Sequence, residues 1–141
     1  MRQSRTAAPS LPRRLAPPLA VGAGVAAAFA RVGAVDPGTP GHYPACPFLR
    51  LTGLYCPACG GLRGAHALVH GELLTALGAN ALAVAGYAAF ALLWGTWLAR
   101  TVRGRAGVRL PLRAAHWWAL GAAVTLFTVV RNLPYGSVLA P

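Results

Sequence analysis

The stretch LGANALAVAGYAAFALLWGTWL, residues 77–98, decides the fold class of this chain. It contains one strongly polar residue, Asn80, and it carries no charge. A run of about 20 apolar residues is long enough to cross a hydrocarbon core of about 30 Å as a helix. Trp94 and Trp97 stand near its end, where aromatic residues mark a membrane interface. The stretch therefore predicts a transmembrane helix from Leu77 to Leu98.

The composition of the whole chain excludes an ordinary soluble domain. Of 141 residues, 56% are hydrophobic and only 11% are charged, whereas about a quarter of a soluble domain is charged. The net charge of +11 comes from arginine alone, because the chain has no lysine. These arginines flank the apolar runs, without the interleaved aromatic residues or the motif of a nucleic-acid-binding module. We therefore predict no nucleic-acid partner.

Two further apolar runs complete the predicted organisation. Pro17 and Pro18 open the first, in a first helical turn that accepts proline, although a cleaved signal peptide is an alternative there. We predict an all-α integral membrane protein with about three transmembrane helices and a short extra helix. Its segments are a disordered basic tail (1–14), transmembrane helix 1 (15–35), a cysteine-containing outward loop with the short helix (36–76), transmembrane helix 2 (77–98), an arginine-rich cytoplasmic loop (99–113) and transmembrane helix 3 (114–134).

The distribution of arginine predicts the orientation. The tail and the 99–113 loop together hold nine arginines and no acid, whereas the 36–76 loop holds two arginines and both acids of the chain. Cytoplasmic segments carry the excess of positive residues. We therefore predict a multi-pass protein of the cell membrane, with its N-terminus in the cytoplasm and its cysteine loop outward. Its expected partners are the lipid bilayer and other membrane proteins.

The chemically informative residues lie in the 36–76 loop. Cys46 is followed at a distance by the C-x-x-C of Cys56 and Cys59. Four interpretations stay open: a structural disulfide, a zinc site, thiol redox chemistry with Cys56 and Cys59 as catalytic residues, and plain packing. The candidate metal ligands are the three cysteines together with His42, His66 or His70.

The residues after the C-x-x-C predict a helix that begins at Cys59. Arg63, His66 and His70 follow Cys59 at spacings of four, seven and eleven residues, which return to one helix face. The helix dipole and Arg63 would then lower the pKa of a thiol there. No catalytic triad, phosphate-binding loop or carboxylate pair accompanies this stripe. We expect a non-enzymatic membrane component and predict no cofactor. The alternatives are a membrane thiol–disulfide oxidoreductase that uses Cys56 and Cys59, or a zinc-binding membrane protein.

The spacing of these and later residues resembles a known pattern. The residues that carry it are Cys46, Pro47, Gly53, Cys56, Pro57, Cys59, Gly60, Arg63, Gly71, Glu72, Asn80, Arg131 and Asn132. In this arrangement the chain resembles a bacterial membrane-protein family of unknown function, domain-of-unknown-function family 2752. The resemblance extends over about residues 44–134. It implies a membrane protein with a cysteine motif, and it implies no activity, substrate or cofactor.

Overall fold

The computed structural model describes residues 10–105 and 111–139. In that part of the chain the secondary structure is entirely helical, which confirms the all-α class. The elements are α1 (Leu11–Ala34), α2 (Pro47–Thr52), α3 (Gly61–Val69), α4 (Leu73–Val102), α5 (Ala114–Arg131) and a 3₁₀ helix (Pro134–Leu139). The short helix predicted in the first loop is therefore two helices, α2 and α3.

Two of the helices, α1 and α4, are long and apolar enough to cross a membrane. Only 11% of the most apolar window of each is buried within the protein. Side chains this apolar and this exposed are what a lipid environment accommodates. Helix α5 occupies the place of the third predicted span, but among the described helices it does not reach the same length and apolarity. The three-span count therefore stays a prediction.

Helix α1 begins four residues earlier than expected. It starts at Leu11, and Pro12 occupies the first turn that the sequence analysis assigned to Pro17 and Pro18. Those two prolines lie inside the helix, so they do not mark its start. The predicted disordered tail is therefore helical from Leu11 to Arg14, and its residues 1–9 fall outside the described residues.

Helices α1 and α4 pack against each other in opposite directions. The indole Nε1 of Trp94 donates a hydrogen bond of 2.8 Å to the Pro18 carbonyl. Further along, the rings of Phe29 and Tyr87 meet edge to face at 5.3 Å. Gly22 permits this approach, because a Cβ there would lie 2.5 Å from the Trp94 ring. The start of α1 therefore lies beside the end of α4. Arg13, Arg14 and Arg100 lie at this end of the pair, whereas Arg31 lies in the last turn of α1 at the other end.

Helix α3 packs against both long helices at the opposite end. Its buried residues are all small: Gly61, Gly64, Ala65 and Ala67. Small residues let helix backbones approach closely. The His66 ring Nδ1 donates to the Val32 carbonyl near the end of α1, at 2.8 Å. The cysteine segment, which leads directly into α3, therefore lies at the end of the pair away from Arg13, Arg14 and Arg100.

Candidate metal and thiol centre

The structure brings all three cysteine sulfurs together. Cys46 precedes α2, whereas Cys56 and Cys59 belong to the turn that leads into α3. The three Sγ atoms lie within 4.8 Å of one another. Cys56 is the central one, 2.9 Å from the sulfur of Cys59 and 3.6 Å from that of Cys46. All three are free thiols, and Cys59 is buried while the other two are partly exposed.

The C-x-x-C turn is closed by its own backbone. The Cys59 amide donates to the Cys56 carbonyl at 3.2 Å, and the Gly61 amide donates to the Ala58 carbonyl at 2.9 Å. Gly60 then has φ of 82°, in the left-handed region that glycine adopts at little cost. This residue turns the chain into α3. The sulfurs of Cys56 and Cys59 lie on the same side of the turn, 2.9 Å apart.

Asn80 fixes the turn from the side of α4. Its side chain is fully buried, and its Nδ2 donates to the carbonyls of Pro57 and Cys59 at 2.8 and 2.9 Å. The backbone of Asn80 leaves the helical region (φ −167°, ψ 93°), so α4 is two helical segments joined at this residue. Its Oδ1 accepts from the Ala83 amide at 2.9 Å, as an N-cap side chain does. One amide therefore both starts the second segment of α4 and holds the cysteine turn.

Arg131, the last residue of α5, holds the same turn from the opposite direction in sequence. The side chain is 1% exposed, and its Nη1 donates to the carbonyls of Cys56 and Cys59, both at 3.1 Å. The guanidinium lies over the rings of Tyr55 and Phe127, at 5.7 and 5.0 Å from their centroids. Its Nε and Nη2 have no hydrogen-bond partner among the described residues. The result is a buried positive charge bonded to the main chain of two of the three cysteines.

Asn132 completes the set of polar residues around the turn. Its Nδ2 donates to the Tyr55 carbonyl at 2.9 Å, and its Oδ1 accepts from the Tyr55 amide at 2.8 Å. This pair of bonds joins the end of α5 to the residue before Cys56. Asn80, Arg131 and Asn132 all contact main-chain atoms of the cysteine segment, so they specify its shape.

The pKa values of Cys46 and Cys59 are shifted in opposite directions. The Leu49 amide at the start of α2 stabilises the thiolate of Cys46 and lowers its pKa below the usual value. Burial raises the pKa of the Cys59 thiol to about 12, with the neighbouring Cys56 adding to the effect. The direction of this pKa shift at Cys59 is opposite to the lowering that the helix dipole and Arg63 were expected to produce at Cys59 or Cys56. Desolvation of the charged form dominates, because Cys59 lies before α3 and is covered by the surrounding helices.

The predicted stripe of Cys59, Arg63, His66 and His70 is only partly present. His66 and His70 do share a face of α3, with ring centroids 4.3 Å apart. However, α3 begins at Gly61, so Cys59 is outside the helix. Among the described residues, no histidine belongs to the group of metal-ligating atoms around the sulfurs. The structure thus does not bring His42, His66 or His70 to the cysteines.

A groove lies beside the cluster. Its volume is about 510 Å³, and its lining includes Cys46, Cys59, Tyr43, Tyr55 and the exposed Arg63. Arg63 therefore borders the same cavity as Cys59, although the two residues are not on one helix. Gly71 and Glu72, which also belong to the family pattern, are exposed in the turn between α3 and α4.

The roles of Tyr55 and Tyr87 were not predicted from the sequence. Tyr55 supplies the main-chain atoms that bind Asn132, and the Tyr87 hydroxyl donates to the Gly61 carbonyl at 3.1 Å. For the contact of Tyr87, the only sequence signal is a tyrosine within an apolar run. The contact of Tyr55 leaves no signal, because any residue could present the same amide and carbonyl to Asn132.

Part of the chain matches a known family model. Residues 46–94 match the family model described as a protein of unknown function (DUF2752). The resemblance inferred from the cysteine pattern is confirmed over this segment, which contains all three cysteines and Asn80. Arg131 and Asn132 lie beyond the matched residues. No curated protein and no solved structure gives a significant match to the chain.

Proposed function

We propose that this protein is an integral membrane protein that binds a thiophilic divalent ion of the zinc class through Cys46, Cys56 and Cys59. Helices α1 and α4 cross the bilayer. The arginine-rich end faces the cytoplasm and the metal centre faces outward. The protein acts as a metal-binding membrane component, and no catalytic step is part of the proposal.

The observation that carries the proposal is that the buried guanidinium of Arg131 binds the carbonyls of Cys56 and Cys59, whose sulfurs converge with that of Cys46. An unpaired buried charge is costly unless an opposite charge lies near. The chain has only two acidic residues, Asp36 and Glu72, and both are exposed. The groups close enough to interact with the guanidinium charge are Cys56, Cys59 and Tyr55. A divalent ion with three thiolates has a net charge of −1, which balances the single charge of Arg131.

The spacing of the sulfurs supports a metal centre as well. Sulfurs at about 2.3 Å from a tetrahedral zinc ion lie about 3.8 Å apart. The separation of 3.6 Å between Cys46 and Cys56 is close to that edge, and the separation of 2.9 Å between Cys56 and Cys59 would have to widen. A disulfide would use only two of the three converging thiols. The hydrogen bonds from Asn80 and Arg131 hold the turn in place before a metal binds, as a preorganised site requires.

The test measures metal content in the full-length protein, purified in detergent under reducing conditions and loaded with zinc. We expect about one zinc per chain by elemental analysis after desalting. Cys46→Ser, Cys56→Ser and Cys59→Ser should each lower the content at least tenfold, while His70→Gln should leave it unchanged. Arg131→Met should also weaken zinc binding, because the balancing charge is lost. Wild-type protein without retained zinc would refute the proposal.

A second candidate function, thiol–disulfide exchange, is favoured by one specific distance. The sulfurs of Cys56 and Cys59 are only 2.9 Å apart, closer than the edge of a zinc tetrahedron. An outward loop would also lie in a compartment where disulfides form and persist. Protein isolated without reductant decides between the two candidates. A single free thiol, with Cys56 joined to Cys59 and no metal, supports exchange; three thiols released together when a chelator is added support the metal centre.

A further inference from the structure

We infer that the fourth coordination position of this centre opens into the adjacent groove and takes a small thiol that carries a carboxylate. The inference rests on the proposed metal centre and adds its ligand class. It begins with the number of protein ligands. Within the part of the chain that the structure describes, the group of atoms able to ligate one ion consists of three sulfurs and nothing else. Zinc prefers four ligands, so one position is left for a molecule from outside.

The groove supplies the space for that molecule. Cys46 and Cys59 both line it, so a ligand in the groove can reach an ion held by the cysteines. Its volume of about 510 Å³ lies within the range of small-molecule sites, about 300–1,000 Å³. Pro37 and Pro40 form part of its wall. The ring of each proline fixes its φ, which reduces the backbone freedom of this wall.

Charge and the ligand preference of zinc then specify the class of the ligand. Arg63 lines the groove, and no described carboxylate forms an ion pair with it. Asp36, one of the two acids, instead accepts from the Gly38 amide at 2.7 Å. A guanidinium without an internal partner favours an anion, and carboxylate is a matched one. Thiolate sulfur is one of the ligands that zinc takes in tetrahedral sites, and a fourth thiolate brings the net charge of the centre from −1 to −2, of which Arg131 offsets one unit. One small molecule that bears both groups can occupy the metal and Arg63 together.

The test uses the full-length protein loaded with cobalt, whose visible absorption reports its ligands. Mercaptoacetate carries both groups, 2-mercaptoethanol has only the thiol, and acetate has only the carboxylate. We expect mercaptoacetate to change the spectrum and to bind about two- to fivefold more tightly than 2-mercaptoethanol, the range for one exposed ion pair. Arg63→Gln should abolish this preference. Arg50→Gln, an exposed arginine of α2 outside the groove lining, should keep it.

Each outcome separates this inference from the proposal beneath it. Absence of cobalt binding would overturn the metal centre and the ligand site together. Cobalt that binds through the three cysteines, with a spectrum that neither thiol changes, would leave the metal centre standing and overturn the open position. A preference for mercaptoacetate that survives in Arg63→Gln would overturn the role of Arg63 and the carboxylate requirement with it.

Discussion

Asn80→Ala is expected to destabilise the cysteine turn by about 2–4 kcal/mol. The Ala83 amide loses its cap, which contributes about 1 kcal/mol. The Pro57 carbonyl loses the bond from Nδ2, and a buried group left unsatisfied costs about 1–3 kcal/mol. The Cys59 carbonyl also loses a bond from Nδ2 of Asn80, but it keeps its bond from Arg131. This second loss therefore adds little to the destabilisation.

The assay is the rate of alkylation of each thiol in chelated, reduced protein, followed by peptide mass spectrometry. Cys59 is 7% exposed, so a reagent reaches it mainly when the turn opens. A loss of about 2 kcal/mol raises the open fraction about 30-fold, because 1.4 kcal/mol is a factor of ten. Cys59 should therefore react at least tenfold faster in Asn80→Ala, and Asn80→Ser, which restores a cap, should react at an intermediate rate.

The matched control for this substitution is Thr96→Ala in the same helix. Thr96 is exposed and its hydroxyl donates only to the Leu93 carbonyl, at 2.8 Å, so the change should alter Cys59 alkylation less than twofold. Equal alkylation rates for wild type and Asn80→Ala would refute the reasoning. If Cys59 reacted as fast in Asn80→Ser as in Asn80→Ala, the N-cap would not contribute to the stability of the turn.

Four further outcomes are expected from the packing and the charge distribution. Gly22→Val should lower thermal stability in detergent by several degrees, because its side chain meets Trp94, while Gly24→Val has open space and serves as the control; equal melting temperatures would contradict the close approach. Asn132→Ala should raise Cys56 alkylation without affecting the α1–α4 pair, since its bonds reach only Tyr55 and Thr128. The protein should stay in the membrane pellet after alkaline carbonate washing, and an impermeant thiol reagent should label reduced intact cells; labelling only after permeabilisation would reverse the topology.

Hydropathy was sufficient to predict the three longest described helices but not the start of α1 or the division of the loop helix into α2 and α3, because the apolar signal is a sum over many residues whereas a helix end depends on single residues. The apolar run at 77–98 falls inside α4, and the predicted segment 114–134 begins with α5, which ends at Arg131. The break at Asn80 was not predicted. An asparagine near the start of an apolar run does not reveal that its partners are carbonyls 21 and 23 residues earlier in the chain.

The sequence predicted the three cysteines of the centre, but it did not predict the side chains that hold their main chain in place. Proximity of Cys46 to the C-x-x-C follows from the shared loop. The stripe failed at Cys59 because a helix was assumed to begin two residues too early, and a left-handed Gly60 intervenes. Arg131 was recognised only through the family resemblance. Its burial depends on the path of α5 back to the turn, which no local pattern encodes.

The residues that shape the turn are separated from it by a long stretch of chain. Arg131 and Asn132 follow the segments that they bind by 72 to 77 residues. At about 5–20 residues per second, a ribosome needs between about 4 and 15 s to make that intervening length. During this interval the thiols are already synthesised, but the guanidinium and amide that hold their turn are not. Assembly of the centre is therefore ordered in time: whatever first meets the nascent cysteines, an oxidant or a metal ion, does so before their final geometry exists.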